Sequence, residues 1–278
     1  MLQPDASSPT NLAEFDVVAK YAYENVGLVL GAGKLAMLRS RLRHRLEKLE
    51  MAGVAEYFQY AYDTNSREEH RHIVAALTTN VSSFFRERHH FDLLDSMVWP
   101  RIRNSQKRGA HVRIWSAGCS HGQEPFSIAM SMRDFFPRID VQAMKVIASD
   151  VDQIALQRAA IGEYDESSLK DLPENVKRRH FDFIKVSGID CLRTKPALRN
   201  LVEFRQSNLI QDRPIQQCYD VVFCRNVMIY FDRPTREIVL ANLVRALKTG
   251  GHLFIGHAER AEHEELTALG GTVYRRDS

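Results

Sequence analysis

The sequence predicts an α/β protein in which a small helical domain precedes a doubly wound sheet. Three observations support this fold class. Strand and helix patterns alternate from residue 111 onward, as in sheets that are covered by helices on both faces. Residues 15–62 show helical periodicity without a convincing strand. The length of 278 residues suits about two domains, at roughly 150 residues for each.

The helical half has its most regular segment at Lys34–Leu49, where leucines recur at helical spacing and form one apolar seam. The seam consists of Leu35, Leu38, Leu42, Leu46 and Leu49. It is flanked on one side by Lys34, Arg41, Arg45 and Lys48, and on the other by Arg39 and Arg43. Polar residues predict a loose arm at 1–12 and a connector at 63–72. The expected regions are a helical domain at 1–64, a linker at 65–80 and the α/β domain at 81–278.

In the α/β half, apolar segments predict strands, and the segments between them predict helices. The strands are expected at 111–115, 144–149, 219–224, 252–257 and 272–275. The helices are expected at 125–135, 153–161, 166–180 with a break at Pro173, and 234–247. Residues 181–206 fit short antiparallel strands with turns at Ser187-Gly188 and Lys195-Pro196.

Composition argues against several classes of protein. Lys and Arg number 38 against 35 Asp and Glu, and the net charge of +3 is weak for nucleic-acid binding. The four cysteines form no CxxC pair, so we expect free thiols and no bound metal. His89 and His90 are predicted to lie at the surface, since no third ligand is suitably spaced. Without a signal peptide or an apolar run of about 20 residues, the protein is predicted to be cytoplasmic and not inserted in a membrane.

Ligands of open α/β sheets bind beyond the carboxyl ends of the strands, which directs attention to the turn at Ser116–Pro125. Gly118 and Gly122 permit a tight turn into a helix. The turn lacks the GxGxxG pattern, and Glu124 would repel a pyrophosphate. The pattern therefore favours a neutral or cationic ligand, and the alternative is a glycine-bearing loop that binds nothing.

Two further segments follow strands. Asp150 comes directly after the second strand, where a carboxylate can accept hydrogen bonds from ribose hydroxyls. The alternative is a helix N-cap, a role that Ser149 or Asp152 could fill equally well. After the strand at 219–224 the chain reads CRNVMIYF. Its polar and aromatic residues suit a site beside a sulfonium. The alternative is that Arg225 pairs with a carboxylate and Tyr230 is a core residue.

Together with LTTNVSSFFRERHHF at 77–91, these segments resemble the CheR family of S-adenosylmethionine-dependent protein-glutamate O-methyltransferases. Read alone, residues 77–91 fit a linker with a helix start at Ser82 or Ser83. Other matching pieces are WSAGCSHGQEPFSIA, ASDVD, NLI at 208–210 and LFIGHAE. The resemblance implies a class I methyltransferase sheet with an antiparallel β-subdomain inserted at 181–206. It also implies S-adenosylmethionine as cofactor, with no metal.

The resemblance also implies which residues contact the cofactor. They are Asn80, Ser82, Arg86, Gly118, Glu124, Asp150, Asn208, Leu209, Arg225 and Asn226. Glu124 would face the amino-acid end, Asp150 the ribose, and Asn208 with Leu209 the adenine. Arg86 and Tyr230 would be catalytic, nearest the transferred methyl. The chain departs from the family at Ser82, where Thr is frequent, and in the loop at His121 and Gln123.

The implied partners are the cytoplasmic helices of chemotaxis receptors, and the implied products are glutamate methyl esters. The basic helix Lys34–Lys48 and the β-subdomain are the expected docking segments. The alternative for this helix is a solvated amphipathic helix that packs through its leucine seam. Two other functions stay open: a non-catalytic module that binds a receptor or regulator, and a nucleic-acid methyltransferase. The segment RNVMIY lacks the paired prolines of the latter class.

Overall fold

The computed structural model describes residues 9–31, 33–106, 110–138 and 140–277, and it begins with a bundle of helices. The bundle is formed by α1 (Pro9–Val26), α2 (Lys34–Lys48), α3 (Val54–Thr64) and α4 (Arg67–Leu77). Leu35, Leu38 and Leu42 of the predicted seam are buried, which confirms the apolar face of α2. They pack with Tyr57 and Ile73 in the bundle core.

Two predictions for the helical half are wrong in part. The arm predicted at 1–12 becomes helical at Pro9, while residues 1–8 lie outside the described residues. The linker predicted at 65–80 contains α4, because Ile73, Val74 and Leu77 give that segment an apolar face that the bundle buries. Only Asn65 and Ser66 separate α3 from α4, and the Ser66 hydroxyl accepts the N-terminal Glu69 N–H of α4.

The large sheet has the strand order β6-β2-β1-β7-β8-β10-β9. Its strands are β1 (Val112–Ala117), β2 (Met144–Asp150), β6 (Val202–Gln206), β7 (Tyr219–Cys224), β8 (Leu247–Ile255), β9 (Leu266–Gly270) and β10 (Val273–Arg276). The first five strands of this order run parallel, and β10 is antiparallel to both neighbours. The sheet packs with α7 (Gln123–Phe135), α8 (Gln153–Ile161) and α11 (Arg233–Ala246). This arrangement confirms the predicted α/β class and the five predicted strands, with ends shifted by a few residues.

The predicted antiparallel region at 181–206 is only partly correct. Strands β4 (Phe181–Val186) and β5 (Ile189–Thr194) form a hairpin, and β3 (Glu163–Asp165) pairs with β5 to complete a small antiparallel sheet. However, β6 leaves this region and runs parallel to β2 at the edge of the large sheet. The short helix α10 (Pro196–Arg199) turns the chain there, and the buried Leu201 and Val202 join the main core.

Two helical regions remain. The predicted break at Pro173 separates a 3₁₀ turn (Glu166–Leu169) from α9 (Glu174–His180). The helix start predicted at Ser82 or Ser83 is wrong, because residues 79–88 are irregular and α5 (His89–Leu93) begins later. A π-helical turn (Leu94–Val98) and α6 (Trp99–Gln106) continue α5. Among the described residues, no helix is both long and apolar enough to cross a bilayer.

The two faces of the sheet belong to different cores, which fixes where the bundle lies. Trp115, Val222 and Leu253 point to the face that shares a core with the helical bundle and α11. Their neighbours along the strands, such as Val221 and Phe254, point to the opposite face, which is covered by α5 to α7 and the small sheet. The bundle therefore lies on the same face of the sheet as α11.

Candidate active site

A cavity lies where β1, β2 and β7 end, between the sheet and the helical bundle. Its empty volume is about 1000 Å³, including its open mouth. Every site residue expected from the sequence lines this cavity: Asn80, Ser82, Arg86, Gly118, Glu124, Asp150, Asn208, Leu209, Arg225, Asn226 and Tyr230. The bundle adds wall residues that the sequence analysis missed, among them Val26, Leu28, Lys34 and Leu77.

The turn after β1 requires its glycines. Gly118 has a φ of +76°, and a Cβ at this position would lie 2.4 Å from Val227 Cγ2. Gly122 has a φ of +91°, and its Cβ would lie 2.9 Å from the Tyr164 hydroxyl. Both positions therefore need a residue without a side chain, and the backbone of Gly118 itself forms part of the cavity wall.

Asp150 holds this turn in place and still faces the cavity. Its Oδ2 accepts the Ser120 N–H at 2.8 Å, and its Oδ1 accepts the Asp152 N–H at 2.9 Å. Burial raises the pKa of Asp150 to about 6, although these hydrogen bonds lower it. The N-cap of α8 is Asp152, whose Oδ1 accepts from Ile154 and Ala155. The alternative reading of Asp150 as a helix cap is thus excluded.

Asp152, which the sequence analysis considered only as a cap, also connects the bundle to the sheet. Its Oδ2 accepts from the Thr78 hydroxyl at 2.9 Å and from the Asn80 side-chain amide at 2.7 Å. The Ser120 hydroxyl donates to the Asn80 carbonyl at 3.2 Å. Asn80 is therefore fixed at the cavity wall by contacts on both sides.

Arg225 lies almost completely buried between two carboxylates. Its Nη1 is 3.2 Å from Glu124 Oε2, and its Nη2 is 3.4 Å from Glu87 Oε2. The Ser116 hydroxyl donates to the other oxygen of Glu124 at 2.7 Å. The ion pair that was the alternative reading of Arg225 is therefore present, while Arg225 and Glu124 also line the cavity.

Burial and neighbouring charges shift the pKa values of Glu124 and Glu87 in opposite directions. Burial raises the pKa of Glu124, against the lowering effect of Arg225 and Ser116. Burial also acts to raise the pKa of Glu87, but hydrogen bonds from His257 and the charge of Arg225 bring it down to about 2. Glu87 is therefore the firmly ionised partner of the guanidinium.

Arg86 lies in the irregular segment that crosses the cavity. Its Nη1 donates to the Val81 carbonyl at 3.1 Å, and its own carbonyl accepts from Arg225 Nη2. Phe85 and Glu87 on either side have φ values of +50° and +56°, which bend the backbone sharply. Arg86 is half-buried and lines the cavity, and most of its N–H donors are left to bind an anion.

The bundle reaches the cavity through the segment that joins α1 to α2. The Val29 N–H donates to the Tyr230 carbonyl at 3.1 Å, and the Lys34 ammonium lies 5.1 Å from the centre of the Tyr230 ring. Burial and the charge of Arg41 lower the pKa of Lys34. Asn208 donates to the Asn25 carbonyl at 2.9 Å, so the loop that carries Leu209 is also fixed to the bundle.

The surface prediction is confirmed for His89, which is exposed, and wrong for His90. His90 is fully buried, since it packs on Phe254 and its Nε2 lies 2.9 Å from the Gly271 carbonyl. Glu87, His89 and His90 bring ligand atoms within 4.8 Å of one another, so a third candidate ligand exists after all. The Arg225 guanidinium already neutralises the Glu87 carboxylate and would repel a metal ion. The expectation that no metal is used stays a prediction.

Family comparisons agree with this geometry. The sequence model of the CheR methyltransferase SAM binding domain matches residues 80–274, and that of the CheR all-alpha domain matches residues 13–78. The chain belongs to the CheR methyltransferase family. The second match ends where Thr78 and Asn80 contact Asp152, at the junction of bundle and sheet.

Several relatives from bacteria match nearly the whole chain. Chemotaxis protein methyltransferase 2 of Pseudomonas aeruginosa is 39% identical over 268 residues, which cover 94% of this chain and 92% of the relative. A probable chemotaxis protein methyltransferase of Rhizobium etli is 35% identical, covering 91% and 96%. The chemotaxis protein methyltransferase of Escherichia coli is also 35% identical, covering 94% and 90%.

The cavity of this CheR family member has groups that suit S-adenosylmethionine, a zwitterionic nucleoside with a sulfonium. Asp150 offers a carboxylate whose two bonded N–H groups leave lone pairs for ribose hydroxyls. Glu124 and the buried Arg225, whose Nε lacks a hydrogen-bond partner, suit an ammonium and a carboxylate respectively. Apolar groups such as Val26 and Leu209 suit a base.

Proposed function

We propose that the protein transfers a methyl group from S-adenosylmethionine to glutamate side chains of chemotaxis receptors and produces methyl esters. The observation that carries the proposal is the convergence of all eleven predicted residues on one cavity at the carboxyl edge of the sheet. The names of the relatives support the chemotactic role. When bound, S-adenosylmethionine supplies a methyl group that is activated by the sulfonium.

The chain itself would position the reactants. A glutamate carboxylate has a reference pKa of about 4.3, so at neutral pH it needs no general base. Its rate of reaction then depends on alignment and on control of its solvation. Arg86 would attract the incoming carboxylate through its guanidinium fork. Lys34, above the Tyr230 ring, adds a second positive charge to the cavity lining. Tyr230 would border the transferred methyl.

The decisive experiment measures transfer of radiolabelled methyl groups to cytoplasmic receptor fragments and then tests whether the label is released by mild base, as an ester requires. Calorimetry with S-adenosylhomocysteine distinguishes an enzyme from a non-catalytic module, which would give no heat up to millimolar ligand. Label that appeared in DNA or RNA instead would favour a nucleic-acid methyltransferase.

Arg86→Ala should lower methyl transfer far more than cofactor affinity. Loss of the group that aligns the nucleophile is expected to reduce kcat/KM by about 100-fold, because the carboxylate then enters without its partner. Calorimetry should show a change of less than about fivefold in the Kd of S-adenosylhomocysteine, of the size expected for one solvent-exposed contact. An unchanged turnover number in Arg86→Ala would remove this assignment, whereas Arg86→Lys should recover part of the rate.

The structure changes which basic residues of α2 are available for receptor docking. Arg45 pairs with Glu68 and Glu69, and Arg41 donates to the Ala76 carbonyl at 2.8 Å, so both hold the bundle together. By contrast, Arg43 and Lys48 are exposed on α2. We therefore assign the docking charge to these two and expect Arg45→Glu to damage the fold instead.

Reversing both exposed charges, as Arg43→Glu with Lys48→Glu, should raise the KM for the receptor about tenfold and leave kcat nearly unchanged. The reason is that rim charges act on association and each contributes up to about 1 kcal/mol. Lys170→Glu, an exposed reversal outside the bundle, is the matched control. Equal KM values for both variants would leave α2 with only a structural role.

The β-subdomain stays a second proposed docking segment. In the small sheet β4 is an edge strand. Phe183 of β4 and Ile189 at the start of β5 are each about 60% exposed. An exposed apolar edge of this kind is typical of surfaces that bind another chain.

A further inference from the structure

We infer that Glu259 is a positioning residue, because it fixes the turn that carries Asn226 and Tyr230. Glu259 follows β8, is only 6% exposed and accepts three backbone N–H groups. Its Oε2 accepts from Asn226 at 2.9 Å and from Gly256 at 2.6 Å, and its Oε1 accepts from Ile229 at 3.2 Å. One carboxylate thus joins the ends of two neighbouring strands.

These N–H groups need an acceptor that the local backbone does not provide. Asn226 has a φ of +59°, so the chain turns out of the sheet as soon as β7 ends. The next residues form a 3₁₀ turn over Met228–Tyr230, and the Ile229 N–H lies in its first residues, where helical partners are missing. Glu259 therefore stabilises the conformation in which Tyr230 faces the cavity.

Gly256 makes the arrangement sterically possible. A Cβ at this position would lie 2.6 Å from the Asn226 side-chain nitrogen and 2.8 Å from Glu259 Oε2. The glycine thus lets the carboxylate and the turn approach each other. Glu259 itself is not among the residues that line the cavity, so any effect on the reaction must pass through the turn.

The role assigned to Tyr230 rests on the proposed function, and Glu259→Gln tests the connection. The amide oxygen can keep the bonds to Asn226 and Gly256, but its NH₂ group then faces the Ile229 N–H, donor against donor. We expect kcat to fall about tenfold, because small displacements of catalytic groups are costly. The Kd of S-adenosylhomocysteine should stay within about threefold, since the Asn226 contact is kept. Glu264→Gln, an exposed change nearby, should alter neither quantity.

A double-mutant cycle separates positioning from general damage. If Glu259 acts through Tyr230, adding Glu259→Gln to Tyr230→Ala should lower kcat by less than about twofold further, because coupled residues are non-additive. A full tenfold loss in the Tyr230→Ala background would overturn the inference, and so would normal kcat in Glu259→Gln alone. Gly256→Ala should reproduce the loss in kcat, since it displaces the same carboxylate.

A binding measurement keeps this test independent of the proposed function. Glu259→Ala removes all three hydrogen bonds, so its Kd for S-adenosylhomocysteine should rise about tenfold through Asn226, as for loss of a buried charged acceptor. If the wild-type protein binds S-adenosylhomocysteine but methylates no receptor, the proposed function fails. The Kd of Glu259→Ala, compared with that of the wild-type protein, still tests the role of Glu259. Wild-type affinity in folded Glu259→Ala would overturn the inference.

Discussion

Replacing Arg225 with methionine is expected to lower the free energy of unfolding by about 3–5 kcal/mol, the range for breaking a buried ion pair. The Arg225 side chain is only 2% exposed and faces both Glu87 and Glu124. Arg225→Met would keep much of the volume but leave two carboxylates without their cation. Urea unfolding at pH 8 measures the loss. Arg233→Met is the control, because that side chain is 88% exposed and its pair with Glu237 contributes less than about 1 kcal/mol.

The pH dependence of the unfolding free energy shows whether the loss of charge in Arg225→Met causes the destabilisation. In the wild-type protein the pKa of Glu87 is held at about 2. A depressed pKa stabilises the fold above the unfolded value of about 4.3, and this contribution is lost as the pH falls toward 2. Without Arg225 the pKa of Glu87 should rise, so the carboxyl groups can be protonated at pH 5. The deficit of Arg225→Met should therefore be smaller at pH 5 than at pH 8; equal deficits would indicate lost packing.

Asp150→Ala should weaken S-adenosylhomocysteine binding about 100-fold. Two hydrogen bonds to a charged group contribute roughly 1.5–3 kcal/mol each, and tenfold in affinity corresponds to about 1.4 kcal/mol. The substitution also releases the Ser120 and Asp152 N–H groups, which hold the turn at the cavity. Calorimetry gives the Kd. Asp150→Asn, which keeps one acceptor oxygen, should lose only about tenfold.

The same carboxyl group should make affinity depend on pH. Asp150 has a pKa of about 6, and ribose hydroxyls donate to its ionised form, so binding favours loss of the proton. Affinity should then fall as the pH drops below 6, by up to about tenfold per pH unit, and level off above it. Asp150→Asn should abolish this dependence between pH 5 and 7. A wild-type affinity that is constant over this range would contradict the assigned contact.

The sequence predicted the central strands because each combines an apolar run with a turn signal, as in Tyr219–Cys224. It could not predict where β6 pairs, since Val202–Gln206 carries no local mark of its partner β2. Similarly, Arg67–Leu77 looks polar at its start, which led to the prediction of a linker there. Which strand or helix a segment packs against depends on contacts with residues far away in the sequence, and a local sequence pattern does not reveal these.

For the site, the rule that ligands bind at the carboxyl ends of parallel strands singled out Gly118, Asp150 and Asn226, and all three line one cavity. The assignment of each residue to a part of the cofactor stays a prediction. Contacts made from distant parts of the chain were missed. Lys34 enters from the bundle, and Glu259 contacts the turn from the neighbouring strand. Distances of this kind appear only when the elements are assembled.

The cavity wall is shared by two regions that match separate family domains. Asn25 and Val29 bond to the loops at Asn208 and Tyr230, while Thr78 bonds to Asp152. Exchange of the helical region alone between relatives would therefore bring together surfaces that did not evolve as a pair. A chimeric enzyme should work only if these contact segments are transplanted as one set.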